Sequence, residues 1–537
     1  MFADNAEMTE VPPGEMEKAS LLLPWRRWEA GLQELERRLL SDPGAVGLRF
    51  QRALLLSQLG RSNEARDEYL KVLEYEPHHV GALNQLGRVL FAIGQRREAQ
   101  TAIRKAVVWH PNDPLSRVNL GVLLLQESEL LEASQRDEEA RQLKHEARKH
   151  YEQALRLRKG YRLAHEGLSY LLGDLGDQPK AAWHRGEAFR NRYLTQLPYR
   201  GRGAPVPVLL LLATTNGNAP LQNFLDDRIF QMSVARPEFY DPKTPLPLHQ
   251  LVVNAIGDAE VASQALLAAQ SVLALTTAPL INPPAAVLAT GRSNNAKRLS
   301  GLPGVVTPTT AMLTRAQLAD SHAPAMLAAC GLEFPLLMRV PGFHTGMKFL
   351  RVESSAELPA ALEKLPGQEL IVMQYLNAGG PEGKARKYRA MMIDGQIYPL
   401  HLAISSHWKV HYFSAEMAAN PEYRAEEAAF LENMPAVLGP VAMNALQRIQ
   451  SVLGLDYGGI DFGLSAKGEV LIFEANATMR VNPPEAGAKW QYRLPAYKRI
   501  EAAVQKMLME RVRRDFSPGR EGAVTFSECR EQKCLRR

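Results

Sequence analysis

Pro43, Pro77 and Pro111 stand 34 residues apart, and the same interval separates Gly60 from Gly94 and Ala65 from Ala99. Leu86-Gly87 recurs as Leu120-Gly121, and "LGRSNEARDEYLKVLEYEP" aligns with "IGQRREAQTAIRKAVVWHP". Several positions obeying one period leave few folds open. Each unit buries its apolar face only against a neighbouring copy, so the units must stack. The pattern within a unit reads as two antiparallel helices. Small residues at Ala53, Gly87 and Gly121 let the pair approach closely, and each proline closes the second helix because it cannot continue one. A third copy, "EARKHYEQALRLRKG", arrives 14 residues late. The charged stretch "QESELLEASQRDEE" before it is expected to be a lengthened helix pair or an inserted loop. Gly176 and Ala181 mark a fourth copy, and "WEAGLQELERRLLSDPG" reads as a lone second helix capping the array.

This period and pattern resemble tetratricopeptide repeats, and the resemblance covers Trp25 to Gln196. It implies a superhelix with a concave face of the kind that binds peptides or protein partners. Repeats that only dimerise the chain or brace its second half are the alternative.

After the Pro/Gly-rich linker "LPYRGRGAPVP" the pattern changes. "VPVLLLLATT" and "LVVNAIGD" are continuous apolar runs bounded by turn signals, which suits buried parallel strands. "EVASQALLAAQSVLAL" reads as a helix, and "APLINPPAAVLATG" as a third strand leading into a loop. Strand, helix, strand order points to an α/β sheet. Further on, "FPLLMRVPGFHTGMKFLRV" gives two strands around a loop. "ELIVMQYL" and "KYRAMMIDGQIYPLHLAIS" follow in hairpin order, so the rest is expected to be α+β.

"GGIDFGLSAKGEVLIFEANATM" reads as a hairpin. With a turn at Lys467-Gly468, Leu464 faces Leu471, Phe462 faces Phe473 and Ile460 faces Ala475. The other face pairs Gly463 with Ile472, Asp461 with Glu474 and Gly459 with Asn476. Like charges directly opposite are destabilising. A hard divalent cation reverses that sign, because Mg²⁺ takes oxygen ligands and shares them with phosphates. A longer turn is the alternative register, and a solvated polar face the alternative role.

From about Val206 to Arg511 the order of motifs resembles the ATP-grasp superfamily, especially ligases related to glutathione synthetase, D-alanine–D-alanine ligase and ribosomal-protein glutamate ligase. "LINPPAAVLATGRSNNAKRLSGLPGVVTPTT", "PLLMRVPGFHTGMKFLRV", "LIVMQYL", "KYRAMMIDGQIYP" and "GIDFGLSAKGEVLIFEANA" carry the likeness. The resemblance implies ATP and Mg²⁺, with Asp461, Glu474 and Asn476 on the metal. Gln374, Tyr375 and Leu376 would be the adenine hinge. Arg389 would face the γ-phosphate, the usual task of a fixed cation in phosphoryl transfer. Arg339 stands where the family most often has a phosphate-binding lysine, a change from a point charge to a planar fork. Lys348 is a second phosphate cation, and "PGFHTG", with His344, a flap. Lys409, on the "SSHWKVHYFSAEM" stretch with His407 and His411, and Arg480, in "MRVNPPE", would contact a carboxylate-bearing substrate. The implied activity is an ADP-forming carboxylate–amine ligase acting through an acyl phosphate. A small-molecule kinase on the same fold, or a scaffold with a vestigial nucleotide domain, are the competing readings.

The chain of 537 residues is long enough for several domains. Expected divisions are a disordered acidic segment over 1–24, repeats over 25–200, an α/β domain over 205–305, a nucleotide-binding domain over 306–511, and a disordered basic tail over 512–537. A net charge of +6 without a dense basic run argues against nucleic acid. Three cysteines, Cys330, Cys529 and Cys534, form no disulfide framework, which suits a cytoplasmic protein. The N-terminus lacks the basic and apolar regions of a secretory signal. The longest apolar run, "VLLLLA", is too short to cross a membrane.

Overall fold

A computed structural model describes residues 25–133, 136–341, 349–380, 382–410, 415–484 and 487–514. The expected flap with His344 and Lys348, and His411, lie outside them, as do 1–24 and 515–537.

The first half is a run of helices: α1 (Trp25–Ser41), α2 (Val46–Gln58), α3 (Ser62–Tyr75), α4 (Val80–Ala92), α5 (Arg96–Trp109), α6 (Pro114–Ala133), α7 (Asp137–Leu157), α8 (Arg162–Asp174) and α9 (Gln178–Phe189). Pro43, Pro77 and Pro111 each follow a helix end by two residues. The 14-residue delay is divided evenly. Helices α6 and α7 have 20 and 21 residues against 13 and 14 in α4 and α5, seven more in each. Seven residues are two turns, so both helices lengthen without rotating their apolar faces. A Cβ on Gly87 would sit 2.5 Å from Ile103, and one on Gly121 2.8 Å from the ring of Tyr151, which is fully buried. Gly121→Val is therefore expected to cost about 1–3 kcal/mol by overpacking. Thermal unfolding followed by circular dichroism checks this; an unchanged midpoint would disprove the close approach.

The repeats do not end in a free linker. β1 (Leu194–Gln196) runs antiparallel to β3 (Phe230–Ala235) at the edge of a five-stranded sheet of order β1-β3-β2-β4-β5. Here β2 is Val206–Leu211, β4 Leu251–Asn254 and β5 Leu280–Ile281, and β3, β2, β4 and β5 are parallel. The strands expected at Val206 and Leu251 are present, and the third shortens to two residues. β3 was not anticipated: its apolar residues Phe230, Met232 and Val234 alternate with polar ones. Helices α10 (Ser263–Leu273), α11 (Pro284–Leu288) and α12 (Arg292–Leu299) follow. The chain passes from β2 to one side for β3 and to the other for β4. This leaves a crevice beyond the carboxyl ends of β2 and β4, the usual place for a ligand in such sheets.

Asn282 ties this sheet to the next layer. Its φ is +57°, a conformation asparagine tolerates. Its N–H donates to Asp456 and its Nδ2 to the Tyr457 carbonyl, while its Oδ1 accepts from the Tyr457 N–H, each at 2.8 Å.

β6 (Val305–Val306) crosses to a third sheet, and β7 (Thr310–Thr314) opens the second. That second sheet is antiparallel, of order β7-β10-β8-β9, with β8 Leu336–Arg339, β9 Phe349–Val352 and β10 Glu369–Gln374. Helices α13 (Arg315–Ala319), α14 (Ala323–Ala329) and α15 (Leu358–Lys364) belong to the same part of the chain, and residues of all three share its core. The third sheet has order β12-β11-β13-β14-β6, with β11 Ala385–Ile393, β12 Gln396–Ser405, β13 Tyr457–Leu464 and β14 Val470–Asn476. Asp394 and Gly395 both have positive φ and close the β11–β12 hairpin, as a two-residue turn requires. Helices α16 (Pro421–Glu432) and α17 (Met434–Leu453, broken at Gly439) cover one face, and α18 (Leu494–Arg514) is the last of the described elements. Helix α18 extends into the stretch expected to be a disordered tail.

The β13–β14 hairpin departs from the two-residue turn. Its loop is Ser465–Glu469, and pairing starts at Leu464 with Val470. Asp461 still meets Glu474, Ile460 meets Ala475 and Gly459 meets Asn476, but a bulge beyond Asp461 sets Phe462 opposite Ile472. Phe473 is the extra residue. It is 39% exposed, while Ile472 is buried in the core, the reverse of the expected faces. A bulge reverses the alternation beyond it, which turn composition alone does not reveal.

Candidate functional site

Strand register builds a polar row across the third sheet. His401 on β12 pairs with Arg389 on β11, Arg389 with Asp461 on β13, and Asp461 with Glu474 on β14. Arg389 grips Asp461 with both prongs, Nε to Oδ1 at 2.5 Å and Nη2 to Oδ2 at 2.7 Å. Lys387, two residues earlier on the same face, reaches Oδ2 at 2.8 Å. Asp461 is 3% exposed, which disposes of a solvated polar face. Burial alone would raise its carboxyl; the Arg389 and Lys387 charges outweigh it and hold Asp461 well below the usual carboxylate range. Burial and the neighbouring Arg389 push His401 well below its ordinary value, so its ring is neutral at pH 7.

Glu474 and Asn476 lie at the wall of a cleft where the layers meet. The same wall includes Asp258 and Glu260 beyond β4, Arg292 at the start of α12, Thr307 and Pro308, and Met373 of β10. Arg292 donates to Glu474 Oε1 at 3.1 Å and to Glu260 Oε2 at 2.5 Å.

Arg339, at the end of β8, is 9% exposed, and its Nε and Nη2 have no hydrogen-bond partner among the described residues. It lies 5.8 Å from the Phe349 ring centroid. Burial, then the like charge of Arg292, pull its guanidinium down to about 10, against the attraction of Glu474, Glu260 and Asp258. A buried cation with unsatisfied N–H groups beside a second cation is a costly arrangement that an anion would relieve.

The hinge triplet follows. Gln374 ends β10 with its N–H committed to Thr309 and its side chain to Glu333. Tyr375 and Leu376 leave the strand half-buried. Arg351 sits 4.2 Å over the Tyr375 ring, and Trp408, from the stretch after β12, packs edge-on to Tyr375 and Phe349. Of the expected site residues among the described ones, Glu474 and Asn476 line the cleft, whereas Asp461, Arg389, Arg339, the hinge triplet, Lys409 and Arg480 do not. Lys409 is half-buried beside Trp408, and Arg480 is exposed, its charge acting on Glu129 of α6.

The donor set suits a hard cation in part. Asn476 Nδ2 donates to Glu474 Oε1 at 3.0 Å, and its Oδ1 accepts from the Thr478 N–H and hydroxyl. A carboxylate beside an amide oxygen matches Mg²⁺ shared with phosphates, which takes one or two protein carboxylates. Asp461 could join only by loosening Arg389 or Lys387. No group of three or more His, Cys, Asp or Glu among the described residues is placed to hold a metal.

Sequence reasoning missed Arg292, Glu260, Asp258 and Lys387. Lys387 was legible from period two with Arg389. Arg292 left a fainter sign, a cation in the first turn of a helix, where the dipole disfavours it.

The tetratricopeptide repeat family profile matches residues 46–79. Residues 46–79 are a tetratricopeptide repeat. The repeat domain is similar to the crystal structure of MamA, at 16% identity and TM-score 0.25 over 30% of this chain and 86% of that one. It is also similar to YrrB, "a TPR protein with an unusual peptide-binding site", at 19% identity and TM-score 0.24 over 30% and 77%. The VanG D-Ala:D-Ser ligase from Enterococcus faecalis matches over 50% of this chain and 74% of its own, at 18% identity and TM-score 0.32. Among the described residues no helix is long and apolar enough to cross a membrane.

Proposed function

We propose that the second half is an ATP-grasp ligase that binds ATP and Mg²⁺ in the cleft between the second and third sheets and joins a carboxylate to an amine. The observation that carries this reading is Arg339, buried with two N–H groups that have no partner among the described residues and subject to the like charge of Arg292. That pair of forks suits the oxygens of a polyphosphate.

In the reaction, a substrate carboxylate oxygen attacks the γ-phosphorus, the bond to the β-phosphate oxygen breaks, and ADP leaves. The amine then attacks the acyl carbon, phosphate departs with the bonding pair, and the nitrogen loses a proton. Glu474 and Asn476 would hold Mg²⁺, which would supply charge neutralisation at the phosphates. Arg339 and Arg292 hold phosphate oxygens. Arg389 is kept rigid by Asp461 and offers a fixed positive end to the charge developing on the transferred group, without reorganisation during the reaction. Lys409 and Arg480, outside the cleft wall, are proposed to contact an acidic acceptor. The repeats are proposed to bind a protein or peptide that carries one of the substrates. They are braced on the first sheet through β1, so this bound partner keeps a fixed relation to the cleft.

Calorimetry of ATP with and without Mg²⁺ tests the nucleotide step. Wild type is expected to bind in a magnesium-dependent way, and Glu474→Gln about tenfold or more weakly. ADP release in the presence of amino acids and peptides then tests the ligase step. A folded wild type that binds no nucleotide would sink the reading. Removing the repeats should cut before Tyr193, because β1 belongs to the first sheet; such a chain is expected to keep ATP binding and lose activity on the large substrate.

A further inference from the structure

Arg292 is anchored at both ends. Its backbone N–H donates to Glu260 Oε1 at 3.0 Å and its Nη1 to Oε2 at 2.5 Å, while Nη2 holds Glu474 Oε1 at 3.1 Å. Glu260 belongs to the loop beyond β4 and Glu474 to β14, so one guanidinium links the first sheet to the third. The arrangement has two electrostatic penalties. Arg292 opens a helix, where a cation is disfavoured, and it faces the like charge of Arg339. An anion bound by the two arginines would offset the second penalty. Glu474 is also already paired through Oε1, so a metal ion that takes that oxygen competes with Arg292 for it. Asp461 cannot play the same part, because both its oxygens are held by residues buried in the sheet.

We propose that Arg292 is a positioning residue that exchanges Glu474 for the nucleotide phosphates, so that divalent metal and nucleotide each release the partner the other needs. The proposal rests on the nucleotide reading above. Without nucleotide, a metal reaching Glu474 leaves Arg292 with Glu260 as its remaining ion-pair partner and the like charge of Arg339 uncompensated. Without metal, phosphates that take Arg292 leave Glu474 uncompensated beside them. With both present, neither cost remains. The coupling is therefore positive, and by linkage it is the same size in both directions. Glu260 keeps the arginine in place through the exchange, because it holds the backbone N–H as well as Nη1.

The test uses the full chain, a non-hydrolysable ATP analogue and Mn²⁺. Calorimetry gives analogue affinity with and without metal, and electron paramagnetic resonance gives Mn²⁺ affinity without nucleotide. In wild type, Mn²⁺ is expected to strengthen analogue binding about tenfold or more, within the ~5–150-fold range of such couplings. In Arg292→Met, Mn²⁺ alone should bind more tightly than in wild type, and the coupling ratio should fall below about threefold. Arg292→Lys keeps a charge and should restore part of it. Glu260→Gln frees the same arginine from a partly exposed position, should act in the same direction, and serves if the methionine variant does not fold. The full wild-type ratio in either folded variant overturns the proposal, as does a wild type that binds the analogue without metal coupling. A wild type that binds no analogue overturns the nucleotide reading itself.

Discussion

Arg339→Met is expected to move nucleotide affinity and stability in opposite directions. Methionine matches the length of the arginine stem but brings no N–H groups to satisfy. If the guanidinium holds phosphate oxygens, its loss removes charge-assisted hydrogen bonds of about 1.5–3 kcal/mol, a weakening of roughly 10- to 100-fold. The unliganded protein gains instead. It no longer buries a cation with two nitrogens that lack a partner among the described residues, and it loses the repulsion from Arg292. A gain of about 1 kcal/mol or more is expected, seen as a melting point higher by a few degrees. Calorimetry and thermal unfolding on one sample read both. A variant that loses stability together with affinity would show that Arg339 supports the fold, and the case for an anion site would fail.

Asp461→Asn has the larger effect on stability. The substitution leaves Arg389 and Lys387 converging on a neutral amide in a buried sheet face, with His401 beside them. Breaking one partner of a buried ion cluster costs about 3–5 kcal/mol, because the remaining charges stay desolvated. Adding Arg389→Met should recover a good part of the loss, and chemical denaturation of the single and double variants measures this. A single variant within about 0.5 kcal/mol of wild type would contradict the buried cluster. The pH dependence has a definite sign. The folded Asp461 carboxyl lies below its unfolded value of about 4, so its contribution is complete above that pH and is lost as pH falls further. Wild type should therefore weaken as pH drops below about 4 more steeply than Asp461→Asn. The rigid fork that makes the variant so costly is also what fixes Arg389 for charge stabilisation, so structure and chemistry share one ion pair.

The repeat array was legible because its signal is redundant. Proline, glycine and alanine positions all restate one period, and even the late third copy kept whole helical turns. The opposition of Asp461 and Glu474 was legible because strand side chains alternate, and three pairs on the open side of the bulge follow the simple count. One inserted residue ended that count. Phe473 and Ile472 exchanged faces, since a bulge depends on how β13 sits against its neighbours and not on the composition of the turn. β3 was legible but missed: in "FQMSVA" Phe230, Met232 and Val234 alternate with Gln231 and Ser233 as in a half-buried strand, while its place between β1 and β2 is a matter of sheet assembly.

The sequence alone settled which residues recur, which face of each element is apolar, and which carboxylates share a strand face. These are local properties, set by helical and strand periods within a few residues. It did not settle which charges meet. Arg389 and Asp461 are 72 residues apart, and Arg292 and Glu474 are 182 apart. Whether Asp461 is a solvated acid, a metal ligand or the centre of an ion cluster depends on which cations the fold brings to it. Pairing at that range costs chain entropy that only the packed layers compensate, so the tertiary structure alone decided it.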